Sequence, residues 1–95
     1  MTSDEAVGLA IKQSRMEQGL SQESIGASQS FVSDIERGKK SVTIQRLDAF
    51  AQCLGVQPVT LLVKAALLAN PNITMEELFE SIRAELKKYN KVEFT

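Results

Sequence analysis

Apolar positions three and four apart run through almost the whole chain, and period-two alternation occurs only at Val92 and Phe94, so the sequence predicts an all-α protein. Local stop and start signals divide it into six helical segments, one of them very short. Thr2 with Glu5 has the spacing of a capping box, which opens a first helix that Gly19 stops. Ser21 stands ready to cap a one-turn helix beginning at Gln22, with Gly26 and Ala27 as the turn that follows. Ser28 caps a third helix that runs to Arg37 and ends at Gly38, and Thr43 caps a fourth that Gly55 closes. Pro58 suits the first turn of a fifth, which stops near Asn70 and Pro71. Thr74 with Glu77 repeats the capping-box spacing for a last helix to about Tyr89. The tail beyond it suits either a short strand or a disordered end.

The faces of these helices carry more information than their ends. At about 100° per residue, Phe31, Val32 and Ile35 of the third helix share one arc, while Gln29, Ser30, Ser33 and Arg37 occupy the other. One side packs, leaving a polar side free to read. Glu36 falls beside Val32 at the edge of the buried arc, and Arg15 lies close to Ile11 on the first helix, so a partly buried ion pair between them is expected. The fifth helix, PVTLLVKAALLA, is apolar on every side with Lys64 its only charge. The last helix gathers Met75, Leu78, Phe79, Ile82, Leu86 and Tyr89 within an arc of about 100°. Together the two offer more apolar surface than one small core absorbs. A homodimer is therefore expected, built on Leu62, Leu67, Met75, Leu78, Phe79, Ile82, Leu86 and Tyr89. Residues 1–70 form the main unit in this reading, and residues 71–95 a helical extension packed on the same domain.

Length and composition narrow the function. Ninety-five residues leave room for one small domain. The net charge of −1 conceals a local excess of base, since residues 12–46 hold six Lys and Arg against four Asp and Glu. A modest basic face of this kind is enough for phosphate contact with salt-sensitive affinity. One cysteine and no histidine exclude an intrachain disulfide and the usual zinc sites. No metal or cofactor is expected, and Cys53 reads as buried filler beside Leu47, Phe50 and Leu54. Nothing in the chain supplies a catalytic base, a nucleophile or a phosphate-cradling glycine loop, so it does not read as an enzyme. No apolar run is long enough to span a bilayer, and the acidic start lacks the basic residues of a signal peptide, which places the protein in the cytoplasm with no membrane partner.

Three blocks of residues add a family resemblance. Val7-Gly8, Ile11-Lys12, Arg15 and Gly19-Leu20-Ser21-Gln22-Glu23 form the first. Ser28, Ser30, Phe31, Val32, Ser33 and Ile35-Glu36-Arg37-Gly38 form the second, and Thr43, Leu47, Ala51 and Leu54-Gly55-Val56 the third. Together they resemble the Cro and lambda-repressor type of helix-turn-helix domain, the XRE family, over residues 7–56. The resemblance implies a compact helical bundle with a DNA-binding helix-turn-helix, to which this chain adds C-terminal amphipathic helices. It gives Gln29, Ser30 and Ser33 the role of base contacts and Gln22 that of a phosphate contact that braces the recognition helix. With Ser28, Arg37, Lys39 and Lys40 these residues make up the expected DNA-binding set, and the Arg15 and Glu36 pair is structural in the family.

The chain departs from the family where the second helix is about four residues short, roughly one turn. Val42 stands where proline is common, and Asp34 on the outward arc suits either a cytosine amino group or repulsion of phosphate. The expected function is that of a sequence-specific transcriptional regulator of double-stranded DNA, a repressor acting as a homodimer on a palindromic operator. Any small-molecule effector is unknown. The alternative is a helix-turn-helix scaffold that binds a protein partner and no DNA.

Overall fold

The computed structural model describes residues 1–89, of Tyr89 the backbone only. Five α-helices follow one another, α1 (Ser3–Glu17), α2 (Gln29–Glu36), α3 (Ile44–Leu54), α4 (Pro58–Ala69) and α5 (Met75–Tyr89), with one turn of 3-10 helix, Gln22–Ile25, between α1 and α2. The all-α reading holds. The alternation at Val92 and Phe94 lies outside the described residues.

Helix starts follow the local chemistry. The Thr2 hydroxyl accepts from the Glu5 amide at 3.1 Å while the Glu5 carboxylate accepts from the Thr2 amide at 2.7 Å, and Thr74 and Glu77 repeat this exchange before α5. Ser28 caps α2 by accepting from the Phe31 amide at 3.3 Å, and Thr43 caps α3 through the Arg46 amide at 3.0 Å. Ser21 behaves differently from expectation. In the tight 3-10 turn its own carbonyl already takes the Ser24 amide, at 3.1 Å, so its hydroxyl pairs with the Ser24 hydroxyl instead, at 2.8 Å.

The main core cluster is Ile11, Ile25, Val32, Ile35, Leu47, Phe50, Ala51, Leu54 and Leu61, drawn from every element except α5. Ile25 is fully enclosed, and burying such a side chain contributes about 2–3 kcal/mol. That anchorage holds an element too short to be stable alone. A second cluster of Ala6, Ala10 and Ala65 lets α1 and α4 approach closely, with Val7 and Leu68 at its border. Gly8 does the same for α1 and α2, since a Cβ there would collide with the Ile35 carbonyl and stand 3.1 Å from the Glu36 Cα. Gly26 carries the turn into α2 at a φ of 85°.

Cys53 is exposed, which corrects its placement in the core. Leu47, Phe50, Ala51 and Leu54 fill the buried arc of α3, and the thiol lies outside it, near Gly26. Leu61 and Ala65 are the buried residues of α4, and its far side is open at Val59 and Leu62. At its start α5 leans on this side, where Val59, Thr60, Val63, Met75, Phe79 and Ile82 line an apolar groove of about 320 Å³. Beyond the groove the α5 stripe stays exposed. Among the described residues no single helix is long and apolar enough to cross a membrane.

Candidate nucleic-acid interface

α2 is seated by its apolar arc, with Val32 and Ile35 buried and Phe31 half-buried against the core. Its opposite side is open at Ser28, Gln29, Ser30 and Arg37, while Ser33 is half-covered; Lys39 and Lys40 follow it, both exposed. Eight residues span about 12 Å, a length that fits across a DNA major groove.

Under this surface lies a buried charge pair. The Arg15 Nε and Nη2 donate to the two Glu36 carboxylate oxygens at 2.7 and 2.9 Å, and Arg15 Nη1 donates to the Leu20 carbonyl at 2.7 Å. Hydrogen bonding to Glu36 holds the guanidinium more firmly protonated than usual, against the opposing effect of burial. The pair joins α1 to the end of α2. From it a chain of hydrogen bonds leads outward, as Gln22 Nε2 donates to Glu36 Oε1 at 3.0 Å and Gln29 Nε2 donates to Gln22 Oε1 at 3.1 Å. The one-turn helix thereby supplies Gln22 directly beside the start of α2, even though the segment is short.

Asp34, for which the sequence allowed two roles, lies 3.5 Å from both Arg37 and Lys40. Its charge is balanced by these two cations, which reduces repulsion of an approaching phosphate. Phe31 gathers further cations at its ring, with the Arg46 guanidinium 4.9 Å and the Lys40 ammonium 5.4 Å from the centroid. Arg46 was not among the expected interface residues. Its signal in the sequence was only its place in the basic stretch, whereas its position beside α2 comes from the fold, which brings the start of α3 against Phe31. Arg37, Lys39 and Lys40 thus stand at the end of α2 and in the loop after it, Arg46 lies over the half-buried ring of Phe31, and Asp34 pairs with Arg37 and Lys40. The expected residues Gln22, Ser28, Gln29, Ser30, Ser33, Arg37, Lys39 and Lys40 come from the one-turn helix, α2 and the loop after it. Met75, Leu78, Phe79, Ile82 and Leu86 lie on α5, and Leu62 and Leu67 on α4.

Such a surface offers amide and hydroxyl groups to base edges and a rim of cations to phosphates. The helix-turn-helix family profile matches residues 11–61, just over half of the chain and inclusive of every residue of this surface. A solved structure of the clp gene regulator ClgR from C. glutamicum aligns at 28% identity with a TM-score of 0.65, covering 70% of this chain and 91% of that one. A second structure of ClgR, from Corynebacterium glutamicum, aligns at 23% identity and a TM-score of 0.66 over 97% of this chain and 98% of that one, a likeness of fold. No curated protein sequence matches the chain.

Proposed function

Since the chain belongs to the XRE-type helix-turn-helix family of DNA-binding transcriptional regulators, we propose that it is a cytoplasmic repressor that binds a palindromic operator as a homodimer. The observation that carries this reading is the open polar side of α2 above the enclosed Arg15 and Glu36 pair, a rigid mount for a helix that enters the major groove. Gln29, Ser30 and Ser33 read base edges, with the Gln29 amide matched to adenine. Gln22, Ser28, Arg37, Lys39, Lys40 and Arg46 hold the phosphates on either side. Occupancy of an operator that overlaps a promoter excludes polymerase and requires no further surface.

Residues 1–70 serve as the DNA-binding unit and residues 71–95 as the dimerisation extension. The support is apolar surface, since Val59, Leu62, Met75, Phe79, Ile82 and Leu86 are each 36–54% exposed along α4 and α5. Leu67, Leu78 and Tyr89 complete the dimer contact in this reading. Two copies joined there place two recognition helices on one duplex, which multiplies weak half-site affinities.

The test is recovery of fragments from sheared genomic DNA at physiological salt, with sedimentation equilibrium on the same protein. Enrichment of one inverted repeat near promoters, and a dimer that Phe79→Glu converts to monomer, are the expected results. Unselective recovery would overturn the regulator reading and favour a protein-binding scaffold. A monomer throughout would overturn the dimer.

A further inference from the structure

The first turn of α1 lies against the loop that carries Lys39 and Lys40, and two contacts join them. Gly38 rests on Glu5, since at its φ of 74° a Cβ would stand 2.9 Å from the Glu5 Cα and 3.1 Å from the Glu5 amide nitrogen. Three residues on, the Ser41 hydroxyl donates to the Asp4 carboxylate at 2.7 Å, across 37 positions of sequence. The turn they meet is itself fixed by the Thr2 and Glu5 capping box. On its other side the loop backbone is tied to α2 only as far as Lys39, whose amide donates to the Asp34 carbonyl at 2.9 Å. Among the described residues, the bond to Asp4 is the one hydrogen bond that either Ser41 or Val42 makes.

We propose, on the reading of Lys39 and Lys40 as phosphate contacts, that Asp4 is a positioning residue for DNA binding: through Ser41 it holds their loop in the shape that meets the backbone. Coulomb's law alone predicts the reverse. A carboxylate repels phosphate, and one exposed charge about 10 Å away weakens binding by about twofold or less. Anchorage is the larger effect, because ordering the backbone of one loosened residue on binding lowers affinity by about five- to thirtyfold. Asp4 thus strengthens the grip of two lysines with which, among the described residues, it forms no ion pair.

Affinity for a selected operator and for a scrambled duplex is measured at several salt concentrations, at a temperature where circular dichroism shows every variant folded. Asp4→Ala and Ser41→Ala are each expected to weaken binding to both duplexes by about fivefold or more and to lower the salt slope by about one, with base preference unchanged. Asp4→Asn keeps an acceptor for Ser41 without the charge, and should bind at least as tightly as wild type. The double variant Asp4→Ala with Ser41→Ala should bind no more weakly than either single, since both remove the same bond. A merely structural part at the start of α1 would lower Tm for Asp4→Ala and leave the salt slope, and the affinity of Ser41→Ala, as in wild type. Tighter or unchanged binding by Asp4→Ala overturns the proposal, as does an equal loss in Asp4→Asn. Additive losses in the double variant overturn it too, because Ser41 would then meet phosphate by itself. If Lys39→Ala and Lys40→Ala leave both affinities unchanged, the phosphate reading of the loop fails first and the proposal with it.

Discussion

Truncating Glu36 to alanine removes an acceptor that takes hydrogen bonds from Arg15 at 2.7 and 2.9 Å and from Gln22 at 3.0 Å. The Arg15 side chain is only 10% exposed and would retain the Leu20 carbonyl as its protein partner, so its charge is left in a site that water reaches poorly. Breaking one side of a buried pair in this way costs about 3–5 kcal/mol. A domain of this size holds roughly 5–15 kcal/mol in all, and each kcal/mol shifts its Tm by about 4–8 °C. Urea denaturation followed by circular dichroism is therefore expected to show the midpoint collapsing towards zero denaturant, with a fall in Tm of more than about 10 °C. Sodium chloride at 1 M should restore little, because the stranded Arg15 charge is shielded from solvent ions. The double replacement Arg15→Met with Glu36→Leu should recover most of the loss, since neither charge is then stranded. The reasoning is refuted if Glu36→Ala costs less than about 1 kcal/mol, or if the double variant is as unstable as the sum of its singles.

Gly8→Ala should destabilise by about 1–3 kcal/mol, because the new methyl meets the Ile35 carbonyl and the Glu36 backbone, whereas Gly26→Ala meets only the Cys53 sulfur at 3.4 Å and should cost about 1–2 kcal/mol of backbone strain. Equal and negligible effects in chemical denaturation would contradict the close approach of α1 and α2. Arg46→Ala should weaken DNA binding by a similar factor for all sequences and lower the salt slope by about one, read from titrations at several salt concentrations; an altered base preference would argue against its place on the phosphate rim. The Glu5 carboxyl is held below its ordinary pKa by hydrogen bonds from the Thr2 amide and hydroxyl. Its contribution is thus present above the ordinary carboxylate range and lost as pH falls through that range towards the lower folded value. Thermal denaturation from pH 6 to pH 3 should show a shallower acid limb for Glu5→Ala than for the parent, and superimposable acid limbs would contradict the capping box.

What was legible in the sequence was what is local. Thr2 with Glu5, Ser28, Thr43 and Thr74 with Glu77 each act within one turn of the chain, and the structure has all of these caps. The two arcs of α2 follow from a fixed rotation per residue, so Val32 and Ile35 could be assigned inward from spacing alone. Cys53 shows where that logic stops. Its arc overlaps that of its apolar neighbours, and only the packing of α3 shows that Ala51 takes the buried place. Asp34 likewise has its meaning set by Arg37 and Lys40, and Arg46 by the ring of Phe31, contacts that no periodicity announces. Gln22 could be placed at the start of a short helix, but its bonds to both Glu36 and Gln29 needed three separate segments brought together. The apolar stripe of α5 was legible as a stripe, while how far it leans on α4 depends on the turn between them.

The central claim is that the polar side of α2 reads bases, and equilibrium binding to a selected operator against a scrambled duplex at about 0.15 M salt tests it most directly. Wild type should prefer the operator by about a thousandfold or more, and Gln29→Ala with Ser33→Ala should bring the operator down to the scrambled level while leaving affinity for the scrambled duplex unchanged. Equal affinity of wild type for both duplexes, or an undiminished preference in the variant, would contradict the account.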